Sequence, residues 1–290
     1  MPELPEVETI VRELKEKVLK RTFLDVWIDA PKLIKKPKRS AQFKKLLIGR
    51  KITGISRMGK IIVFHLSGSK IMFVHQKMTG HFLLGKWSKN DKEIISKEKG
   101  FLQDSANKYI HIIFYLDGKK ELAFSDLRKF ARIELLDDKD FEKFKKELNL
   151  GPDPLEKGFS LSQFSRIITG QKGKIKQALM NQEIISGIGN IYSDEILFES
   201  KVNPFRSADS LSKQELQKLY LAIKMILKRS IEVGGDSVSD YRRTDGSLGG
   251  FDKLSKVYGR EGEKCSRCKS AIQRKKIGGR SAHFCPKCQI

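Results

Sequence analysis

The sequence predicts an α+β protein of several domains, and three observations support this class. Apolar residues recur at helical spacing in the first twenty residues and then follow period-two alternation as far as Leu136. Helical spacing returns after a Gly-Pro-Asp-Pro segment at 151–154, and all four cysteines fall in the last 26 of the 290 residues. We therefore expect an antiparallel β-sandwich preceded by a helix, then a helical domain and a small C-terminal metal domain.

The amino-terminal helix is predicted from its apolar face and its first turn. Pro5 suits a first-turn position, and the neighbouring glutamates complement the positive end of the helix dipole. The apolar face comprises Val7, Ile10, Val11, Leu14 and Val18.

The β-sandwich is predicted from two hairpins. Ser67–Ser69 turns the chain between the alternating runs Ile61–Leu66 and Ile71–Val74. Asp117-Gly118 similarly joins Tyr109–Leu116 to Glu121–Phe124. The stretch from Gly85 to Lys108 is charged and weakly patterned, so we expect a long loop there.

The second half of the chain is predicted to be helical. Gly151–Pro154 has the composition of a hinge or linker. Residues 234–253, which we call the glycine-rich loop, follow the last helix and are expected to be mobile. The helical runs are Leu161–Ile168, Ile175–Met180, Ile191–Phe198 and Leu211–Val233.

The charge of the chain favours a polyanionic partner. Lys and Arg number 58 against 35 Asp and Glu, a net charge of +23. Nucleic acid is the obvious candidate because each neutralised phosphate releases a counterion, although a solvated lysine-rich surface is the alternative. No window of eighteen residues lacks a charge, and the first twenty residues contain five glutamates. We therefore expect no membrane span, no secretory signal and a cytoplasmic location.

The cysteines form two CxxC pairs with the spacing of a four-thiolate zinc ribbon. Cys265 and Cys268 are separated by sixteen residues from Cys285 and Cys288. This spacing predicts one structural zinc ion, with two disulfides or an iron centre as alternatives. Arg280 lies between the pairs and could bind a phosphate or could simply be solvated.

Several separated motifs together carry a family resemblance. They are Pro2–Thr9, Ser125–Phe130, Gly187–Tyr192, Val257–Arg260 and the terminal cysteine pairs. With these motifs the chain resembles the bacterial formamidopyrimidine-DNA glycosylases. The resemblance implies an N-terminal β-sandwich, a helix-two-turn-helix domain and a zinc finger. The expected domains are a catalytic domain at 1–137, the DNA-binding helices at 151–234, a lesion-covering loop region at 235–254 and the finger at 255–290.

The resemblance also implies a nucleophile. Removal of Met1 would make Pro2 a free secondary amine, and an α-amino group has a reference pKa of about 8, well below that of lysine. Read without the resemblance, the segment is only a proline-led helix start. The family pattern makes Glu3 the acid and base, Lys60 a proton donor and phosphate contact, and Arg280 the finger residue for the second elimination. Lys60 would otherwise be interpreted as a solvated strand-end lysine.

Binding roles are carried over in the same way. The two glycines of Gly187–Tyr192 allow tight turns that would direct Asn190 at a phosphate. Glu6 could contact the lesion or only complement the helix dipole. The departures from the family pattern are Gln76-Lys77 and Ala131. The expected DNA contacts are His75, His111, Arg128, Lys172 and Asn190; the wedge residues are Met78, Arg128 and Phe130; and the lesion contacts are Glu6, Tyr241 and Thr244.

The resemblance implies a bifunctional DNA glycosylase and abasic-site lyase of base excision repair. The expected substrates are 8-oxoguanine and formamidopyrimidines in double-stranded DNA, together with abasic sites, and the expected reaction ends in β,δ-elimination. The protein is expected to act as a monomer near the nucleoid. Two alternatives stay open: an endonuclease VIII-like glycosylase for oxidised pyrimidines, and a non-catalytic zinc-ribbon protein that only binds DNA.

Overall fold

The computed structural model describes residues 1–90, 94–237 and 240–290. Contacts within the chain define two compact units. Unit 1 contains Met1–Glu147 and Val233–Asp252, and unit 2 contains Leu148–Glu232 and Lys253–Ile290. The predicted division into four domains is finer than these two units and stays a prediction. None of the described helices combines the length and the apolar composition that a membrane crossing requires.

Unit 1 is built mainly of strands. Its helices are α1 (Leu4–Val18), α2 (Ser40–Leu47) and α3, which runs from Phe141 to Leu148 at the boundary of the unit. Its strands are β1 (Phe23–Ile28), β2 (Ile34–Lys36), β3 (Ile52–Met58), β4 (Ile61–Leu66), β5 (Lys70–His75), β6 (His81–Gly85), β7 (Trp87–Lys89), β8 (Ile94–Ser96), β9 (Ile110–Leu116), β10 (Lys120–Ser125) and β11 (Arg132–Asp137).

These strands form the predicted sandwich. One sheet has the order β1-β9-β10-β6 and the other the order β2-β11-β5-β4-β3. Both predicted hairpins are present, with Ile62 opposite Val74 and Leu122 opposite Phe114. The pairing is antiparallel except at one edge, where the three-residue strand β2 runs parallel to β11.

A single apolar core joins the two sheets and α1. The rings of Phe64 on β4 and Phe82 on β6 meet edge to face with centroids 5.7 Å apart. The apolar face of α1 packs into the same cluster, where Ile10 and Leu14 are fully buried. The core therefore fixes the helix that carries the amino-terminal motif against the sandwich.

The prediction of a long loop between Gly85 and Lys108 is wrong. The segment contains the hairpin β7–β8 and two short 3-10 turns. Its Trp87 and Leu102 are buried in a second cluster with Leu83 and Ile113. The reason is tertiary: the outer face of the four-stranded sheet is apolar and this segment covers it. Residues 91–93 of the predicted loop lie outside the described residues.

Unit 2 contains the predicted helices and a C-terminal hairpin. The predicted linker at Gly151–Pro154 is part of the packed unit, because Gly151 N donates to Gln182 O at 2.8 Å and Ser186 N donates to Pro152 O at 3.1 Å. The elements are α4 (Leu161–Thr169), α5 (Ile175–Met180), α6 (Asn190–Ser200), α7 (Lys213–Glu232), β12 (Gln273–Ile277) and β13 (Arg280–Phe284).

The glycine-rich loop also differs from its prediction as a mobile loop. Its stem is closed by hydrogen bonds from Gly250 N to Val233 O and from Phe251 N to Gly235 O, at 2.9 and 3.0 Å. The side chains of Tyr241 and Phe251 are 2% and 1% exposed. The described part of the loop is therefore packed within unit 1, while positions 238 and 239 lie outside the described residues.

Candidate functional site

The amino-terminal turn of α1 is buried and hydrogen-bonded. Pro2 is buried, and the backbone N–H of Glu3 donates to Glu6 Oε2 at 2.7 Å. The other oxygen, Glu6 Oε1, accepts from Asp236 N at 2.8 Å. Glu6 therefore joins the turn that carries Pro2 to the start of the glycine-rich loop. Its predicted lesion contact stays a prediction, since both of its oxygens are bound within unit 1 here.

Lys60 lies in the turn between β3 and β4, beside the first turns of α1. Arg57 Nε binds Glu8 Oε2 at 3.0 Å, and Arg57 Nη1 donates to Gly59 O at 3.0 Å. Although burial of Glu8 opposes the shift, hydrogen bonding from Arg12 and the charge of Arg57 lower the pKa of this carboxyl. Lys60 itself is only 7% exposed. The reading of Lys60 as a solvated strand-end lysine is therefore wrong.

His75 ends β5 beside the Lys60 turn, opposite Ile61 across the β4–β5 ladder. Its Nδ1 accepts from Lys77 N at 3.1 Å. Burial, followed by the charges of Lys77, Lys60 and Arg132, lowers the pKa of His75 to about 3. The imidazole is thus neutral at pH 7, and because Nδ1 is an acceptor, the proton lies on Nε2. A neutral donor of this kind suits a phosphate oxygen.

His111 on β9 is placed differently. Its Nδ1 lies 2.8 Å from Asp29 Oδ2, and its Nε2 is enclosed with no hydrogen-bond partner among the described residues. Because His111 Nδ1 already faces a carboxyl group and Nε2 is enclosed, this arrangement does not by itself offer a phosphate site. The predicted DNA contact of His111 stays a prediction.

The three wedge residues lie on two neighbouring loops. Met78 is partly buried between β5 and β6, whereas Arg128 and Phe130 are exposed between β10 and β11. The guanidinium of Arg128 lies 4.5 Å from the centroid of the Phe130 ring, a cation–π distance. With 51% of its surface exposed, the Phe130 ring is not part of the hydrophobic core.

A buried carboxylate that sequence analysis missed joins these two loops. Asp126 Oδ1 accepts from the hydroxyl of Thr79, and Asp126 Oδ2 accepts from Ala131 N at 2.9 Å. Thr79 Oγ1 in turn accepts from Arg128 N at 3.0 Å. Asp126 is within the Ser125–Phe130 motif, but its partner Thr79 is 47 positions away.

Gln76, one of the departures from the family pattern, is a buried amide with no hydrogen-bond partner in the described part of the chain.

Tyr241 and Thr244 lie in the core of unit 1. Thr244 donates from its backbone N and its Oγ1 to Glu13 Oε2 on α1, at 2.9 and 2.6 Å. Burial, followed by the charges of Glu6 and Glu13, raises the pKa of Tyr241. In this conformation both side chains are covered, so the lesion contacts predicted for them stay predictions.

Two predicted DNA contacts lie in unit 2. Lys172 is exposed in the turn before α5, and Asn190 is the first residue of α6, after Gly187 with φ of +94°. Sequence analysis missed Gln182, which shapes the turn. Its Nε2 donates to Ile188 O at 2.7 Å and its Oε1 accepts from Gly187 N at 2.9 Å. Asn190 Oδ1 is buried with no hydrogen-bond partner among described residues.

The four cysteines converge as predicted. Their Sγ atoms lie within 4.8 Å of one another, with Cys265 and Cys288 3.9 Å apart and Cys268 and Cys285 3.4 Å apart. Tetrahedral zinc with Zn–S bonds of about 2.3 Å requires sulfur separations of about 3.8 Å. Hydrogen bonds from Ser270 lower the pKa of Cys268 to about 6, which favours the thiolate that zinc binds. The donor set therefore fits one structural zinc ion.

The zinc finger presents Arg280 and is bound to α6. Arg280 is exposed at the start of β13, after a Gly278-Gly279 turn in which both glycines have positive φ. The buried Glu195 accepts hydrogen bonds from Lys256 N, Val257 N and Tyr258 N at 2.8 to 2.9 Å. The zinc-binding segment is therefore fixed on the helix that begins with Asn190.

Family models match most of the chain, and curated relatives match its full length. The formamidopyrimidine-DNA glycosylase N-terminal domain matches residues 1–133, its H2TH domain residues 150–242, and the zinc finger found in FPG and IleRS residues 262–290. The formamidopyrimidine-DNA glycosylase of Carboxydothermus hydrogenoformans is 39% identical over the full length of both chains. That of Listeria monocytogenes is 36% identical, again over the full length of both.

Solved structures of a related protein are similar over nearly the whole chain. A complex of Lactococcus lactis Fpg with DNA that contains an abasic site has a TM-score of 0.86 at 32% identity, covering 99% of both chains. The wild-type Lactococcus lactis protein with N7-benzyl-Fapy-dG DNA gives the same values, as does its complex with DNA that contains an oxidised pyrimidine.

The sandwich with its amino-terminal helix, the helical unit and the four-cysteine finger define a DNA glycosylase of base excision repair. Within this class of enzyme, the sequence identities to curated relatives over the full length of the chain identify the family. The chain belongs to the formamidopyrimidine-DNA glycosylase family, whose members combine glycosylase and abasic-site lyase activities.

Proposed function

We propose that this protein removes oxidised purines from double-stranded DNA and cleaves the resulting abasic site, with Pro2 as the nucleophile. The observation that carries the proposal is the position of Pro2 at the buried start of α1. The Glu6 carboxylate binds the backbone of Glu3 there, and the Arg57–Glu8 ion pair ties the Lys60 turn to the same helix. This geometry supports one site that contains an amine, a carboxylate and a lysine.

The chemistry follows from these groups. After removal of Met1, the neutral Pro2 nitrogen attacks C1′ of the damaged nucleotide and the glycosidic bond breaks, so that the base leaves with its electron pair and takes up a proton. Glu3 delivers a proton to the ring oxygen as the sugar opens, which leaves an iminium at C1′. This cation acidifies C2′, and loss of that proton expels the 3′ phosphate. Loss of a further proton from the sugar expels the 5′ phosphate.

The other predicted residues are assigned binding roles in this proposal. His75, Lys60 and Arg280 bind phosphates around the lesion, and Lys172 and Asn190 bind the backbone from unit 2. Arg128 pairs with the base opposite the lesion, while Met78 and Phe130 fill the space that the everted base leaves. The exposed Arg128–Phe130 pair supports this wedge role. The proposal also includes one further DNA contact, His111, and three lesion contacts, Glu6, Tyr241 and Thr244.

Oxidised pyrimidines are the second candidate substrate class. The Lactococcus lactis relative has been crystallised with DNA that contains an oxidised pyrimidine. Duplexes that contain 8-oxoguanine opposite cytosine or an oxidised pyrimidine opposite its normal partner should be compared under identical conditions. We expect faster excision of the oxidised purine, and faster excision of the pyrimidine would reverse the assignment.

Borohydride reduction tests the nucleophile directly. Incubation with an abasic duplex and borohydride should give a covalent protein–DNA adduct, and peptide mass spectrometry should locate the adduct on Pro2. The intact mass of the purified protein should lack Met1. A protein that binds the duplex without forming an adduct would instead be a DNA-binding protein only. Efficient cleavage by protein that keeps Met1 would contradict the role of Pro2.

The same proposal places the protein in the cytoplasm near the nucleoid. Its support is the DNA substrate and a zinc site of four thiolates, which a reducing compartment preserves. Fluorescence microscopy of a tagged chain should show overlap with the chromosome, and a uniform distribution at the cell envelope would contradict it.

A further inference from the structure

Two buried carboxylates of α1 bind the glycine-rich loop at separate points. Glu6 and Glu13 are seven residues apart, about two helical turns, and therefore share one face of the helix. Glu6 accepts from Asp236 N near the start of the loop. Glu13 accepts from Thr244, which lies beyond the middle of the loop. The helix that carries Pro2 thus holds the loop along a line of about 10 Å.

The Glu13 contact is the denser of the two. Glu13 Oε2 accepts from both Thr244 N and Thr244 Oγ1, and Glu13 Oε1 accepts from Arg243 Nε at 2.6 Å. Lys17 Nζ, one turn further along α1, donates to Thr244 Oγ1 at 2.9 Å. Glu13 is 7% exposed and Thr244 is fully buried. Charge-assisted hydrogen bonds in such a site are stronger than neutral ones at the surface.

Strand β6 of unit 1 also binds Thr244. Leu84 N on β6 donates to Thr244 O at 2.7 Å, so both backbone groups of Thr244 are bound. Arg242, two positions before Thr244, forms an ion pair with Asp104 at 3.3 Å. The loop is consequently fixed on α1 and on the sandwich around one residue, whereas its stem contains Gly234 and Gly235, both with positive φ.

We propose that Glu13 is a positioning residue for base excision, which acts by holding the glycine-rich loop on the helix that carries Pro2 and Glu3. The inference rests on the proposed function, in which this loop contacts the damaged base. Excision needs the base to be held while C1′ is attacked, but cleavage of a preformed abasic site has no base to hold. Loss of Glu13 therefore affects the first reaction and spares the second. The Glu6 contacts at the other end of α1 keep the Glu3 backbone in place in both.

The test compares Glu13→Gln with Glu16→Gln. Glu16 is exposed on the same helix, so the second variant makes the same chemical change without touching the loop. For Glu13→Gln we expect kcat/KM on an 8-oxoguanine duplex to fall about tenfold, the effect of losing one charge-assisted hydrogen bond. Borohydride trapping and cleavage on an abasic duplex should stay within about twofold of the parent protein. Glu16→Gln should match the parent on both substrates.

Limited trypsin digestion reports the loop itself. Cleavage after Arg242 and Arg243 should accelerate in Glu13→Gln and not in Glu16→Gln, since the bonds around Thr244 no longer hold the segment. Thr244→Val, which removes only the hydroxyl, should give a smaller change of the same pattern and serves if Glu13→Gln does not fold. Equal losses on both duplexes, or unchanged excision and proteolysis, would overturn the inference. Absence of trapping by the parent protein would instead refute the proposed function.

Discussion

Helices α1 in unit 1 and α6 in unit 2 use the same chemistry to hold very different segments. In both, buried carboxylates accept backbone N–H groups from a segment that lies far away in the sequence. Glu13 binds the glycine-rich loop, 231 positions from its own place in the chain, and Glu195 binds the start of the zinc finger, about 60 positions away. The common feature is that a helix side chain replaces the backbone partners that an irregular segment lacks.

The difference lies in what else constrains the bound segment. Asp194, beside Glu195, accepts from the buried Lys176 at 2.5 Å and from His283 N at 2.9 Å. The finger that it binds is also held by four thiolates around zinc. The glycine-rich loop has no metal restraint among the described residues: hydrogen bonds and the Arg242–Asp104 ion pair hold it, and its stem contains glycines at positive φ. The α6 contacts therefore belong to a rigid docking that zinc also restrains, whereas the α1 contacts hold a loop that no metal restrains in its described part.

Breaking the α6 contacts should have the largest effect on stability. Asp194→Asn leaves the Lys176 ammonium, whose side chain is fully buried, without its carboxylate. Loss of one partner of such a pair costs about 3–5 kcal/mol in the free energy of unfolding. Hydrogen exchange of α6 peptides measures this loss in unit 2.

Two internal controls sharpen that measurement. Trp27 and Trp87 both lie in unit 1, so tryptophan fluorescence should report an unchanged unfolding transition there. Glu199→Gln breaks the more exposed ion pair with Arg267 and should cost no more than about 1 kcal/mol. If Asp194→Asn costs no more than Glu199→Gln, the rigid docking of the finger does not depend on this carboxylate.

Acid should lower the stability of unit 1 through His75, and this effect should be of intermediate size. The folded pKa of about 3 lies below the unfolded value near 6.5, so the unfolded chain binds more protons between these values. Stability from this group is therefore complete above pH 6.5 and is lost as the pH falls. Between pH 6.5 and pH 5 the loss is about 2 kcal/mol, at about 1.4 kcal/mol for each pH unit.

The two tryptophans of unit 1 provide the readout for His75. Urea unfolding followed by their fluorescence should show the loss in the parent protein and a flatter pH dependence in His75→Gln. An identical slope in both proteins would show that His75 is not held neutral in the folded state.

The smallest effect concerns the wedge loops, a third segment held by a buried carboxylate. Asp126→Asn keeps the size of the side chain but removes the charge that binds Thr79 and Ala131 N. We expect kcat/KM on a paired lesion to fall about fivefold to tenfold, because Arg128 and Phe130 lose their fixed loop. A duplex that lacks the opposite base should show a smaller fall. Asp138→Asn, at an exposed position just after the far end of β11, is the control, and equal losses on both duplexes would contradict a wedge role.

Much of this site could be predicted from short stretches of sequence. The four cysteines, the proline-led helix and the two hairpins each depend on spacing over fewer than about thirty residues, which local backbone geometry translates directly into structure. The roles predicted for Pro2, Glu3 and Lys60 came from the family resemblance, and the structure has these residues just before α1 and in the turn before β4. Two predictions failed because they depend on distant residues: the 85–108 segment and the glycine-rich loop look unstructured alone, but their described residues pack on surfaces elsewhere in unit 1.

The sequence by itself determined which chemical groups this protein has and in which local elements they lie. Only the tertiary structure decided which of these groups are buried together: Lys60 beneath the surface, Glu13 against Thr244, Asp126 between two loops, and Asp194 against Lys176. The physical reason is that the free energy of a charge depends on its solvent and its neighbours. Those neighbours come from distant parts of the chain, which no local periodicity specifies.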